Sequence, residues 1–346
     1  MWKFFQLIIC VLLAMHAQIA WSSDACSTRA IVAAADVTVS DGSSFKIESF
    51  FHSSDAAAIR HISEDEQLIA VEGPYSWTRL GDKSELGSDF HKVFALGHQF
   101  HAFLLYFEEL VTKVRRSEEI LFDHETHRAI SGDYPYGGVV HLIESDTEAR
   151  PVGILFEFPE TTAITVNFYD WRDVGDAVLP FHLRIDDGAR SFDYRYSQID
   201  IASRSPLWYL EAVGTPDIDH VQVYRLHRKL LAAHCLGDAD MMATLSAPQM
   251  VIAGRGELLR VSNAAMHEQF TALFQRLEYT EYHDIVMPII EISSASDLAW
   301  IGVNVRAIGS DKKTDTPFDD QWAWVMMVEK INNDWVHAGN ASNRLE

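Results

Sequence analysis

Basic residues are scarce in this chain: 28 lysines and arginines stand against 50 aspartates and glutamates, a formal charge of −22. Binding to a phosphate backbone works by displacing counterions with basic side chains, so this balance argues against nucleic acid as a partner and disfavours an anionic membrane surface. Cysteine is scarcer still. Of the three present, Cys10 lies in an N-terminal apolar run, which leaves Cys26 and Cys235. Two thiols do not make a disulfide framework, and one bond between them or two separate thiols both remain open. Signature motifs are missing as well. There is no GxSxG elbow and no phosphate-binding loop, and Gly254-Arg255-Gly256 lacks the third glycine of a dinucleotide fingerprint. His124-Glu125-Thr126-His127 is one residue short of the HExxH spacing that sets two imidazoles one helical turn apart. His91, His98 and His101 have no acidic support nearby in sequence, so no metal and no cofactor are expected.

No apolar run reaches the roughly 20 residues a membrane-spanning helix needs. The longest, Phe4 to Met15, follows the basic Lys3 and precedes His16, Gln18 and the small residues Ala20, Ser22, Ser23 and Ala25. That is the layout of a secretory signal peptide. Residues 1–22 are therefore read as a signal, and the protein as exported, periplasmic or secreted, with no stable membrane insertion after signal removal. Cys26 lacks the leucine that a lipoprotein signal carries three residues earlier, which argues against lipidation.

What is present is strand-like alternation and apolar bulk. A length of 346 residues with 48% hydrophobic content predicts two domains with real cores. Val213-Gly214-Thr215-Pro216-Asp217 is the clearest break, which gives domains 23–215 and 216–346. Before it, PVGILFEF puts Val152, Ile154, Phe156 and Phe158 on one face, and AITVNFYDW does the same for Ile164, Val166 and Phe168. Asp186-Asp187-Gly188 marks a hairpin. HQFHAFLLYFEELV carries Phe100, Phe103, Leu104, Phe107, Leu110 and Val111 at helical spacing, so Phe103 and Phe107 are expected to line the apolar side of a sheet. After the break, a helix from about Asp219 to Leu236 ends at Gly237. A short helix capped by Asp238 or Asp240, a hairpin near Gly254 and a helix capped by Ser262 follow. The strands TEYHDIVMPIIEIS, DLAWIGVNVRAIG, DQWAWVMMVEKI and WVHAGNAS close the chain.

The strand rhythm of roughly residues 30–212, the inserted aromatic helix and the run NFYDWRDVGDAVLPFHLRI resemble the outer-membrane lipoprotein carrier (LolA-like) superfamily. The order of helix, Gly-Asp, short helix, hairpin, helix and long strands ending in tryptophan and histidine resembles the SnoaL-like branch of the nuclear-transport-factor-2-like superfamily over most of 217–346. Together the resemblances imply an α+β protein: an open antiparallel β-barrel with an inserted helix, followed by a cone-shaped α+β domain with a curved antiparallel sheet. Both folds form concave apolar cavities. The second superfamily contains isomerases, cyclases, dehydratases and non-enzymatic binders, so the fold does not choose a function.

Candidate site residues concentrate in the last strands. His337 and Asn340 lie on the terminal strand, where His337 fits either proton transfer near neutral pH or a hydrogen-bonded structural role. Trp322 and Trp324 share a face with Met326 and Val328, and Trp300, Asn304 and Arg306 share a face of the neighbouring strand. These residues have the composition of a small-molecule pocket, an aromatic wall with a few polar anchors, and equally that of a core or a dimer surface. Asp240, Asp284 and Tyr282 match no position-specific motif and take no role. His234 and Cys235 are adjacent on a helix, so their side chains diverge by about 100°. The leading expectation is a protein that binds or carries a hydrophobic small molecule or a lipid acyl chain. The alternatives are an isomerase, cyclase or hydratase using His337, and an interaction module forming a homodimer through the C-terminal domain.

Overall fold

Alternating apolar residues in the first two thirds of the chain form one antiparallel sheet of thirteen strands in a computed structural model. The structure describes residues 24–345 apart from Asp65, Tyr136, Asp146, Glu148, Glu160, Thr161 and Arg255, so the expected signal peptide lies outside the described residues. Strands β1 (Arg29–Val39), β2 (Ser44–Ser53), β3 (Ala56–Ile62), β4 (Gln67–Glu72), β5 (Tyr75–Leu80) and β6 (Lys83–Leu86) run as a meander. Helices α1 (Asp89–Gly97) and α2 (Phe100–Leu110) interrupt it. A second meander follows: β7 (Thr112–Phe122), β8 (Glu125–Asp133), β9 (Val139–Glu144), β10 (Pro151–Glu157), β11 (Ile164–Val174), β12 (Ala177–Asp186) and β13 (Ser191–Ser203). Pairing of β1 with β13 joins the two, and β6 and β7 are left as the edges.

The sheet is therefore open, and among the described residues no pairing joins its edges into a barrel. On β7 the register slips twice, and Lys113 and Ser117 take positive φ of 48° and 60°. Bulges and charge on an edge strand discourage further pairing. The helices pack against the apolar face of the sheet. Phe103 and Phe107 belong to one continuous core with Ile31, Ile154, Val166 and Leu183 from the strands, and Phe103 meets Phe156 edge-on at 5.4 Å between ring centroids. The three histidines of this region are committed to local structure. His91 Nδ1 accepts the Ser88 amide to cap α1, His98 Nδ1 donates to the Phe94 carbonyl, and His101 Nε2 donates to the Pro180 carbonyl.

After the short α3 (Trp208–Val213) come α4 (Asp219–Leu236), α5 (Ala239–Thr244), the hairpin of β14 (Ser246–Gly254) and β15 (Glu257–Ser262), and α6 (Asn263–Arg276). Strands β16 (Leu277–Asp284), β17 (Ile289–Ile292), β18 (Leu298–Asp311), β19 (Thr316–Ile331) and β20 (Asp334–Arg344) complete a second sheet. Its order is β15-β14-β20-β19-β18-β16, with β17 beside β18. The expected caps are in place: Gly237 is left-handed at the end of α4, the Asp238 carboxylate accepts the Met241 amide, and the Ser262 hydroxyl accepts the Ala265 amide. The segment TEYHDIVMPIIEIS, expected as one strand, is two, because Pro288 between them has no amide to give to the ladder. Val223, Leu226, Leu230 and Leu231 of α4 pack onto Ile301, Val303, Val305, Met326 and Val328.

A polar seam joins the two sheets. The Arg225 guanidinium on α4 donates to both oxygens of Glu72 on β4, at 2.6 and 2.5 Å, and the Trp77 indole donates to the same carboxylate at 2.9 Å. Tyr224 donates to Asp55, which also accepts the Ser53 hydroxyl. The first described residues lie on the second unit. The Ala25 amide donates to the Tyr282 carbonyl, and Cys26 forms a disulfide with Cys235, 209 residues away.

Candidate functional site

The second sheet turns one face toward α4 and α6. On β19, Trp322, Trp324, Met326 and Val328 lie on that face, Met326 and Val328 fully in the core and the two indoles packed at its margin. Register then decides what joins them. Val305 lies opposite Trp322 and Val303 opposite Trp324, so the odd-numbered residues of β18 point inward. Trp300, Asn304 and Arg306 consequently lie on the outer face: Trp300 is 42% exposed, and Arg306 is held in a surface ion pair with Asp319 at 2.7 and 2.6 Å. The aromatic wall drawn from both strands is thus divided between two faces of the sheet.

On β20 a bulge brings together two residues that a regular strand would separate. Three positions apart, His337 and Asn340 would point to opposite faces. The register slips between them, however, with Val328 opposite His337, Met327 opposite Gly339 and Met326 opposite Asn340. Ala338 is the extra residue, and both polar side chains end on the inner face. Gly339 makes this geometry accessible, since a Cβ there would sit 2.2 Å from the Val251 carbonyl oxygen of the parallel neighbour β14.

His337 is buried, and neither ring nitrogen has a hydrogen-bond partner. The Gly339 backbone approaches the ring without hydrogen-bonding geometry. Burial, with a smaller contribution from nearby His234, pushes the His337 pKa down to about 4, so the ring is neutral at pH 7. The Asn340 Oδ1 is likewise buried and unpartnered. His234 donates Nδ1–H to the Leu230 carbonyl and stacks on Tyr282 at 4.6 Å, with Phe270, Phe274 and Tyr279 edge-on around it. Burial lowers its pKa to about 4 as well. The surroundings of these two rings are therefore aromatic and apolar, and both ring nitrogens of His337 and Oδ1 of Asn340 lack partners there.

The remaining candidates are placed elsewhere. Asp284 lies on the inner face opposite Val305 and accepts from His227 Nε2 of α4 at 2.9 and 3.0 Å, and Asp240 is an exposed partner of His267. Phe103 and Phe107 are in the packed core of the first sheet. Asp24, Cys26 and Cys235 bring an oxygen and two sulfurs within 4.8 Å of one another, but the sulfurs are bonded to each other and are not thiolate ligands. A cavity of about 20 Å³ lies between the two units, with His52, Tyr209 and Arg228 on its wall, and this is room for about one water. The sequence reading weighed His234 only as a neighbour of Cys235; its place against Tyr282 depends on tertiary packing. It missed Arg225, whose position among Val221, Tyr224 and Leu226 in α4 is the one signal of a buried charge.

No protein-family model matches the chain, and no curated protein matches it. Among solved structures it is similar to a ketosteroid isomerase-like protein from Erwinia carotovora atroseptica, at 13% identity over 38% of this chain and 98% of that one, with a TM-score of 0.32. It is also similar to an NTF2-like protein from Cytophaga hutchinsonii, at 14% identity over 36% of this chain and 95% of that one, TM-score 0.30. An NTF2-like superfamily protein from Salmonella enterica is similar at 10% identity over 37% of this chain and 92% of that one, TM-score 0.33. At such scores the likeness carries no inference about what this chain does.

Proposed function

We propose that the protein binds a small, apolar, uncharged molecule in the interior of its second unit, with His337 and Asn340 as polar anchors and Trp322 and Trp324 as the wall. One observation carries the reading: three buried polar atoms, both ring nitrogens of His337 and Oδ1 of Asn340, have no partner beside the apolar side chains of Met326 and Val328. An unmade buried hydrogen bond costs roughly 1–3 kcal/mol, so a ligand group that completes these bonds gains that much on binding. A neutral imidazole offers one donor and one acceptor, which suits a hydroxyl. The cations on this face, Arg344 over Trp322 and Lys330 beside Trp335, are already held by Asp320 and Asp219, so a neutral alcohol, phenol or ketone fits better than a fatty-acid headgroup. An acyl chain in the first unit would have to displace Phe103 and Phe107.

The proposal extends to compartment and organisation. The signal-like N-terminus supports export to a periplasm or outside the cell, and the Cys26–Cys235 bond belongs to an oxidising compartment. Two meanders with helices inserted between their edge strands support a LolA-like open barrel for 23–215, and the helix and strand order after 216 supports a SnoaL-like cone. An isomerase, cyclase or hydratase remains the second reading, since His337 sits in the same interior. A base with a pKa near 4 is poorly matched to proton transfer at pH 7, which favours binding over catalysis.

Tryptophan emission of the full chain, titrated with a phenol, a long-chain alcohol and a fatty acid, tests the reading. The neutral probes should shift emission, Trp322→Ala and Trp324→Ala should lose the shift while staying folded, and His337→Phe should weaken binding about tenfold, one hydrogen bond's worth. Equal binding by the three variants and the parent chain, or a response to the fatty acid alone, would overturn it.

A further inference from the structure

Residues 24–27 adjoin the first sheet in sequence yet lie against the second. They pair with β16, the outermost strand at one end of that sheet, before the chain crosses at Thr28 and Arg29 into β1. The Ala25 amide donates to the Tyr282 carbonyl at 3.0 Å, and the Tyr282 amide donates to Asp24 Oδ1 at 3.0 Å. The same oxygen accepts the Cys26 amide at 2.9 Å and closes the turn. Ala25 is buried in the core that holds Tyr224, Leu231 and Tyr282, and Cys26 is bonded to Cys235 near the end of α4. This short strap therefore fixes two things at once, the backbone of Tyr282 and the last turn of α4. Those two elements carry the stacked pair Tyr282 and His234, 4.6 Å apart, and His234 is the residue before Cys235. His234 in turn stands near enough to His337 to oppose its protonation. A line of neighbours thus runs from the disulfide through Tyr282 and His234 to His337.

We propose that the Cys26–Cys235 bond is a redox latch on the ligand site of the second unit: oxidised, it holds Tyr282 and the end of α4 in the arrangement that binds; reduced, it frees the strap and the site slackens. The inference rests on the site proposed above for its ligand, and on the strap's own geometry for its mechanics. Both cysteines are half-buried, which leaves the bond open to a dithiol reductant. One thiolate of that reductant attacks one sulfur, the S–S bond breaks, and the other cysteine leaves as a thiolate that takes up a proton. The second thiol of the reductant resolves the mixed disulfide, so the reductant leaves oxidised and the chain keeps two thiols. Among the described residues the strap then retains its two hydrogen bonds to Tyr282 and one buried methyl group, a hold that opens locally while β16 keeps its pairing with β18. Ala25 also walls the small cavity between the units, beside His52, Arg228 and Ala232, so release lets water reach it. The Tyr282 amide loses its acceptor, while His234 keeps its bond to the Leu230 carbonyl. The stack becomes one arrangement among several, and a site whose binding arrangement falls to about a tenth of the population binds about tenfold more weakly. Ligand is thus retained where disulfides persist and given up where dithiols act.

Two readouts on the full chain test the latch, before and after reduction with dithiothreitol: amide hydrogen exchange at Tyr282, and binding of phenol followed by tryptophan emission. Circular dichroism checks that the reduced chain stays folded. Reduction should speed exchange at Tyr282 and weaken phenol binding about tenfold, and reoxidation should reverse both. The double variant Cys26→Ser with Cys235→Ser should behave as the reduced chain and ignore dithiothreitol. Asp24→Ala keeps the bond and removes the acceptor of the Tyr282 amide, so its oxidised form should show the faster exchange and a weaker hold on phenol; this variant carries the test by itself if the reduced chain unfolds. Exchange at Tyr282 that is the same in the parent, the reduced chain and Asp24→Ala would overturn the latch whatever phenol does. Faster exchange with unchanged phenol affinity would overturn its coupling to the site. Phenol that binds neither redox form would overturn the binding reading and leave the latch no ligand to govern, and the exchange result tells that failure from a failure of the strap.

Discussion

The Glu72–Arg225 pair should hold the two units together, and its loss should be expensive in a way that a double substitution is not. Side-chain exposure is 4% for Arg225 and 1% for Glu72, so water does not screen the pair. Arg225→Met would leave the Glu72 carboxylate with the Trp77 indole as its described side-chain donor, at 2.9 Å. Removing one partner of a buried ion pair costs about 3–5 kcal/mol, because the survivor stays desolvated and unpaired. Replacing both, as in Glu72→Met with Arg225→Met, removes both charges and leaves apolar volume, which is often neutral or mildly stabilising. Urea unfolding of the full chain at pH 7 measures this. Each single variant should lose about 3 kcal/mol or more, and the double should be more stable than either single, a coupling energy of at least about 2 kcal/mol. Against a total stability of order 5–15 kcal/mol these shifts are large enough to move the midpoint visibly. Additive losses, or an Arg225→Met variant within about 0.5 kcal/mol of the parent, the range of ordinary surface changes, would refute the reasoning.

Two further outcomes follow from the same structure. Reducing the Cys26–Cys235 bond frees a loop closed across 209 residues, and the chain-entropy relation gives a loss of about 5 kcal/mol; unfolding midpoints in urea that coincide with and without reductant would contradict it. His101 and His337 are buried, with pKa values pushed down to about 4 by desolvation, against an unfolded value near 6.5. The unfolded chain therefore binds more protons below pH 6.5, so the stability these groups contribute is fully present above that pH and is lost as pH falls toward 4. At pH 5 each should cost about 2 kcal/mol relative to pH 7, and urea midpoints that stay level from pH 7 to pH 5 would show that these rings are not held neutral.

Much of the architecture was written in local signals. Gly237, Asp238 and Ser262 act through backbone geometry within a few residues, and the helix bounds they imply are observed. The apolar stripe of Phe100, Phe103 and Phe107 does face a sheet core. Closure is a different matter, because whether β6 meets β7 depends on strands that lie far apart in sequence and on the bulges of β7. Alternation reveals that a strand has two faces and says nothing about its curvature. The thiol pairing was equally invisible, since it depends on residues 24–27 lying against β16 and α4 rather than beside their own strand β1.

The site shows the same limit more sharply. Period-two alternation correctly grouped Trp322 with Trp324 and, separately, Trp300 with Arg306, but a slip of one residue in register exchanges the faces of a strand. The pairing of Val305 with Trp322 settles it and sends Trp300 outward, so that a residue expected in a pocket becomes part of an exposed apolar row. For His337 and Asn340 alternation points the wrong way altogether. Strict alternation separates them, and the single inserted residue at Ala338 reunites them beside Met326 and Val328. Nothing in HAGNAS announces a bulge except the glycine that lets β14 approach, and a glycine in a strand has several meanings. The two faces of β19 thus acquire separate tasks from one alternating string: Trp324 and Met326 border the interior, while Val325 and Met327 are exposed on the outer face.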